Sequence, residues 1–128
     1  MKIVFEATEF GAQDDGYTLT CGASNAAASD KIDYHYITLQ RSSDPEDRDD
    51  DGIHFEIDDQ INGNYDLLKS CECSSTKLVC ELHRGTSWYP DIRTVEVSLP
   101  DSPDDVASLT SALRRIFHDR PADLRLHA

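Results

Sequence analysis

Residues 52–65 read GIHFEIDDQINGNY, and this stretch anchors the interpretation of the whole chain. Apolar and polar side chains alternate across residues 53–57, which is the pattern of a strand with one buried face. Asn62 and Gly63 readily adopt the left-handed backbone of a tight turn, so a bend is expected there. The stretch therefore predicts a strand with an acidic outward face, followed by a turn.

Three further strands are expected on the C-terminal side of this stretch. Residues 66–74 and 76–83 predict two strands with a short serine-rich connection between them. A polar loop carrying Trp88 and Tyr89 comes next. Alternation resumes at residues 93–99, which predict the last strand.

The N-terminal third of the chain predicts three strands of its own. They are expected at residues 1–7, 17–21 and 33–41, which contain β-branched and aromatic residues. Residues 11–16 are rich in Gly and Asp and predict a turn region. Residues 22–30 show no apolar periodicity and predict a loop or one turn of helix.

An amphipathic helix is predicted after the last strand. Ser102 is placed to cap its N-terminus, Pro103 suits the first helical position, and two aspartates follow where the helix dipole favours negative charge. Pro121 ends the helix, and residues 119–128 are expected to form a loosely held tail. Apolar residues recur at helical spacing and define one stripe: Val106, Leu109, Leu113, Ile116 and Phe117.

Composition and pattern together predict one folded domain spanning residues 1–128. The chain is 38% hydrophobic and 29% charged, and its apolar residues are spread along its length, which argues against disorder. A run of strands followed by one amphipathic helix predicts an α+β domain. We expect about six to seven strands in a mainly antiparallel β-sheet, with the C-terminal helix packed on it.

The charge of the chain is strongly negative. Twelve Lys and Arg stand against 25 Asp and Glu, which gives a net charge of −13. This sign disfavours direct binding to nucleic acid or to an anionic membrane surface, and it suits a basic partner. Maintenance of solubility is the alternative explanation.

The N-terminus predicts a cytoplasmic protein, and this location in turn predicts the state of the cysteines. The N-terminal apolar run is short and soon interrupted by charge, so it predicts neither a secretory signal nor a membrane span. Cysteines are normally reduced in the cytoplasm. The chain has Cys21, Cys71, Cys73 and Cys80, which are expected to be free, small and partly buried.

The most acidic segment, residues 44–59, contains nine acidic residues and one Arg. Residues 47–52 follow the D-x-D-x-D-G pattern of a calcium-binding loop. The match is incomplete, because Asp58 replaces the bidentate Glu and His54 stands where an apolar residue usually packs. The flanking segments also predict strands instead of helices. A solvated loop or a partner-facing patch is therefore preferred to a calcium site.

Catalytic and zinc-binding patterns match poorly. His54 and Glu56 form an H-x-E pair upstream of Cys71 and Cys73, as in zinc deaminases. Those enzymes use P-C-x-x-C, whereas one residue separates the cysteines here and no proline precedes them. The five histidines are scattered, without a nucleophile elbow or a glycine-rich phosphate loop. We therefore expect a protein without catalytic residues, metal or cofactor.

Several segments together resemble a known family. ITLQR at residues 37–41, the acidic loop, FEIDDQINGNY at 55–65, Ser70-Cys71 and LRRIF at 113–117 resemble immunity protein 10 (Imm10) of bacterial polymorphic toxin systems. The resemblance covers about residues 33–117 and is sharpest at residues 55–65. It implies a small cytoplasmic, non-catalytic protein that binds a cognate toxin domain and blocks it.

An acidic surface suits such a role. Many toxin domains of these systems act on nucleic acid and would present basic clefts, which an acidic loop and strand face would fit. The candidate contacts are Asp47, Asp49, Asp50, Asp51, Glu56, Asp58, Asp59, Tyr65, Trp88 and Tyr89. Turn chemistry is the alternative role for the aspartates at 58 and 59, and core packing for the aromatics. A small acidic metal- or ligand-binding module using the 44–59 loop is the alternative function, and a hydrolase or deaminase ranks third.

Overall fold

The computed structural model describes residues 1–26, 34–44, 46 and 52–127. These residues form two five-stranded sheets and one long helix. In chain order the strands are β1 (Lys2–Glu6), β2 (Glu9–Asp14), β3 (Thr18–Ser24), β4 (Tyr36–Ser42), β5 (His54–Ile57), β6 (Asp59–Asn64), β7 (Leu68–Cys73), β8 (Lys77–Leu82), β9 (Thr94–Ser98) and β10 (Leu124–Leu126). The helix α1 (Pro103–Ile116) and a short 3-10 helix (Pro121–Asp123) lie between β9 and β10.

The predicted α+β class with one C-terminal helix is confirmed, but the strands divide into two sheets. Sheet I has the order β1-β9-β8-β7-β10 and sheet II the order β2-β3-β4-β5-β6. Buried side chains from both sheets and from α1 belong to one hydrophobic cluster. Because the two sheets share one core, strands such as β3, β4 and β9 bury every second residue, which explains the alternation seen in the sequence.

The prediction of a bend at Asn62 and Gly63 was wrong. The strand expected at the start of the stretch is β5, but both residues lie inside β6. The chain reverses instead at Asp58, which has a φ of 67°. Aspartate tolerates this left-handed conformation better than most residues because its short side chain bonds to nearby backbone groups.

Two other segments form strands that the sequence did not predict. Residues 11–16 were expected to be a turn, but β2 covers most of them and pairs with β3 from Glu9↔Ser24 to Asp14↔Leu19. Residues 22–24, expected to belong to a loop or one turn of helix, continue β3. Small residues in these segments mask the strand pattern, because Gly and Ala contribute little to a hydrophobic alternation.

The C-terminal segment is ordered instead of being a loose tail. Its strand β10 runs parallel to β7, with Leu124 opposite Cys71 and Leu126 opposite Cys73. Both leucines pack against the core. A three-residue strand is too short to be recognised from periodicity, so the pairing of β10 with β7 could not be predicted from the sequence.

Helix α1 begins as predicted and packs on the inner side of sheet II. Ser102 precedes Pro103, although its hydroxyl donates to the Asp105 carboxylate at 2.7 Å instead of capping a backbone N–H. Four residues of the predicted stripe are buried: Leu109, Leu113, Ile116 and Phe117. The helix contacts β2 and β3.

No helix among the described residues is both long and apolar enough to cross a membrane.

A buried arginine fixes the side of the sheet on which the helix lies. Arg41 alternates on β4 with the buried Ile37 and Leu39, so its side chain points toward the core. Its Nη1 donates to the carbonyl oxygen of Ile116 at 2.8 Å, and its guanidinium pairs with Asp119. Because α1 ends on the core side, it does not cover the opposite face of β4.

Candidate protein-interaction surface

The outer face of sheet II consists of the residues that alternate with the buried core positions. Two rows cross its central strands. One row joins Thr20, Gln40 and His54, and the other joins Gly22, Thr38 and Glu56. Tyr36 on β4 belongs to the same face, and the exposed Tyr34 and Tyr65 border it. This surface, the outer face of sheet II, combines aromatic side chains with a carboxylate.

The tyrosine nearest the carboxylate is held in place. The hydroxyl of Tyr36 donates a hydrogen bond to Oε2 of Glu56, and its ring lies 5.9 Å from that of Tyr34. Burial, followed by the bond to Glu56, raises the pKa of Tyr36 well above its ordinary value. The phenol therefore remains a neutral donor throughout the physiological pH range.

A second aromatic pair lies on the same face. The rings of His54 and Tyr65 meet edge to face at 5.0 Å. Gly63 leaves room for this arrangement, because a Cβ at that position would lie 2.9 Å from Cε1 of His54. Aromatic pairs of this kind are rigid and present a large contact area.

A cleft of about 380 Å³ opens beside the first pair of tyrosines. Its floor is backbone at Gly22, where a Cβ would lie only 2.3 Å from the carbonyl oxygen of Ile37. Its walls include Phe10, Tyr34 and Tyr36. Gly22 therefore leaves a shallow, open notch that is bordered by Phe10, Tyr34 and Tyr36.

Asp58 lies inside the fold instead of on this surface. Its side chain is 4% exposed, and Oδ2 lies 2.8 Å from Nδ1 of His35. The carboxylate also accepts bonds from the backbone N–H of Tyr36 at 3.0 Å and from the hydroxyl of Tyr89. Burial, followed by the bond to Asp58, raises the pKa of Tyr89 to about 12. This arrangement joins β4 and the β5–β6 turn to the β8–β9 loop.

The other predicted contacts divide between surface and structural positions. Asp59 is half-buried and accepts the backbone N–H of Ile61 at 3.0 Å, so it also serves turn chemistry. Trp88 is exposed in the β8–β9 loop, and its backbone N–H donates to Oδ1 of Asn62 at 3.0 Å. Four predicted contacts lie outside the described residues: Asp47, Asp49, Asp50 and Asp51.

The structure therefore brings Glu56 and Tyr65 onto one face and assigns Asp58 and Tyr89 to a partly buried network. Sequence analysis missed Tyr34, Tyr36 and the notch at Gly22 as members of the surface. The two tyrosines carried a signal, since their spacing places them on one side of a strand. The sequence offered no means of deciding which side is outward.

Metal binding has no support among residues 1–26, 34–44, 46 and 52–127, where no three His, Cys, Asp or Glu side chains are grouped to hold an ion. The calcium-like pattern at residues 47–52 falls almost wholly outside those residues. The module that would use this loop remains a prediction from the sequence.

Comparison with models of known protein families found no match, and searches of curated proteins and of solved structures found no significant similarity either.

Proposed function

We propose that this protein is an immunity protein of the Imm10 type, which binds a cognate bacterial toxin domain through the outer face of sheet II and neutralises it without chemistry of its own. The observation that carries the proposal is the combination of Tyr34, Tyr36, Tyr65 and Glu56 on a sheet face that α1 does not cover. The resemblance of residues 55–65 to the Imm10 family supports the same function.

The aromatic content of this face suits protein recognition. Tyrosine is enriched among the residues that contribute most to protein–protein affinity, since it offers a large, rigid contact area and a polar end. Tyr36 is already fixed by its bond to Glu56, and Tyr65 by its contact with His54. Side chains that are ordered before binding lose little conformational entropy in the complex.

Charge supplies the second part of the proposal. The net charge of −13 would attract a basic toxin cleft and raise the association rate, an effect that weakens as salt is added. Glu56 on β5 and Asp59 on β6 lie near Tyr36 and would contribute locally. Residues 47–51 precede β5 in the chain and include four further aspartates, which add to the negative charge of the protein.

Coexpression tests the proposed function directly. The chain is produced together with the product of the gene adjacent to its own, and the experiment measures both copurification and the survival of cells that express that product. The proposal predicts a stable complex and rescue of growth. If the adjacent product is toxic and this chain neither binds it nor restores growth, the immunity function is wrong.

A further inference from the structure

Two of the four cysteines face each other in the core. The Sγ atoms of Cys71 on β7 and Cys80 on β8 lie 3.5 Å apart, and both thiols are free and buried. The two residues are direct partners in the antiparallel β7–β8 pairing. Cys21 and Cys73 are also buried, but no cysteine faces either of them on the neighbouring strands: Cys21 pairs with Ala12 and Leu39, and Cys73 with Leu78 and Leu126.

The backbone at this pair already satisfies the requirements of a disulfide. Facing residues in antiparallel strands have Cα atoms about 4.5–5.5 Å apart. Disulfides span Cα distances of about 4.4–6.8 Å, so Cys71 and Cys80 could be joined by a small rotation of their side chains.

We propose that Cys71 and Cys80 form a disulfide by reaction with a small-molecule disulfide while the chain is unfolded, and that folding then buries this disulfide. One cysteine thiolate attacks the small-molecule disulfide, forms a mixed disulfide and releases one small thiol. The second cysteine thiolate then attacks the protein sulfur of the mixed disulfide and releases the other small thiol. The protein loses two hydrogen atoms, and the oxidant is reduced to two thiols. The inference is independent of the proposed function.

Burial of the two thiols restricts this oxidation to the unfolded chain. The hydrogen bond with Cys80, followed by burial, raises the pKa of Cys71 well above its ordinary value. Thiolate is the reacting species, so Cys71 is a weak nucleophile in the folded protein, and the burial of both thiols denies access to an oxidant. The same enclosure protects the disulfide from reductants after folding. Its presence would therefore record the redox conditions in which the chain folded.

A refolding experiment tests both the pairing of Cys71 with Cys80 and the protection of their thiols by folding. The reduced, denatured protein is refolded with excess glutathione disulfide, and reduced native protein is exposed to the same reagent for the same time. Mass spectrometry then follows the loss of two hydrogen atoms. Cleavage after Glu72 and after Lys77 separates Cys71, Cys73 and Cys80 into different peptides. We expect a Cys71–Cys80 link in the refolded protein, and oxidation of the native protein at least about tenfold slower.

Matched variants identify the pair independently of peptide mapping. The C21A/C73A protein should still form the link, whereas the C71A/C80A protein should not, and circular dichroism checks that each variant folds. The folded, oxidised protein should resist dithiothreitol until denaturant is added. Three results would overturn the proposal. They are a link between any other two cysteines, the formation of glutathione adducts alone, and oxidation of the native protein as fast as that of the unfolded chain.

Discussion

Nδ1 of His35 lies 2.8 Å from Oδ2 of Asp58, although the two residues are 23 positions apart. The same carboxylate accepts a hydrogen bond from Tyr89, a further 31 positions along the chain. Asp58 is also the one non-glycine residue with positive φ among the described residues. A strained turn is therefore held by side chains from two other parts of the fold.

Replacement of Asp58 should lower stability. Asp58→Ala removes every acceptor of this network and keeps a Cβ at positive φ, so the free energy of unfolding should fall by about 2–3 kcal/mol. Asp58→Asn tolerates the same backbone and can still accept a hydrogen bond, so it should cost less. Urea unfolding of both variants measures the difference. If Asp58→Ala stays within about 0.5 kcal/mol of the unaltered protein, the network does not stabilise the turn.

Arg41 and Asp119 should be energetically coupled. The guanidinium is 5% exposed on its side-chain surface and pairs with the carboxylate through bonds of 2.6 and 2.8 Å. Arg41→Met, Asp119→Ala and the double variant form a double-mutant cycle. Charge-assisted bidentate pairing predicts a coupling free energy of about 1–3 kcal/mol, measured by urea unfolding. Additive effects would mean that the pair does not anchor the C-terminus of α1.

Asp14 should make stability depend on pH in acid. The backbone N–H of Gly16, the hydroxyl of Ser43 and the guanidinium of Arg115 lower the pKa of Asp14 to about 2. Because the folded-state pKa lies below the unfolded value, the contribution is fully present above about pH 4 and is lost as pH falls toward 2. The unaltered protein should therefore lose more stability than Asp14→Asn over this interval.

Thermal unfolding of the two proteins at closely spaced pH values between about 2 and 5 measures this difference. Above that interval, the two Tm curves should run parallel. Curves that stay parallel down to the acid limit would contradict the stabilising role of the Asp14 hydrogen bonds.

Most strands and the helix could be predicted because burial imposes a simple period on their sequences. Val95 and Val97 alternate with polar residues on β9, and the stripe from Leu109 to Phe117 repeats at helical spacing. The division into two sheets could not be predicted in this way. Alternation reports that one face is buried, but it does not identify the sheet that covers it.

The candidate surface was predicted only in part, for a related reason. Glu56 and Tyr65 were identified from acidity and aromatic character alone. Asp58 has the same chemistry as its neighbour Asp59, and only the tertiary positions of His35 and Tyr89 show that its carboxylate is enclosed. The notch at Gly22 depends on the close approach of the Ile37 carbonyl, which no local pattern encodes.

Matched substitutions can test the proposed binding of a toxin domain to the outer face of sheet II, because they separate this face from general surface effects. Tyr34→Ala removes an exposed tyrosine from the face, and Tyr17→Ala removes one that is 85% exposed in the β2–β3 turn. Glu56→Gln has a counterpart in Glu81→Gln on sheet I, where the carboxylate accepts a bond from Thr94 at 2.9 Å. Circular dichroism verifies that all four variants fold.

The most direct measurement is the dissociation constant of each variant with the proposed toxin partner, the product of the adjacent gene, determined by titration calorimetry. Tyr34→Ala should weaken binding by about tenfold or more, as expected for a tyrosine that packs against a partner, and Glu56→Gln should also weaken it. Tyr17→Ala and Glu81→Gln should leave the constant within about twofold of the unaltered protein. Equal affinities across all four variants would contradict the assignment of this face as the toxin-binding surface.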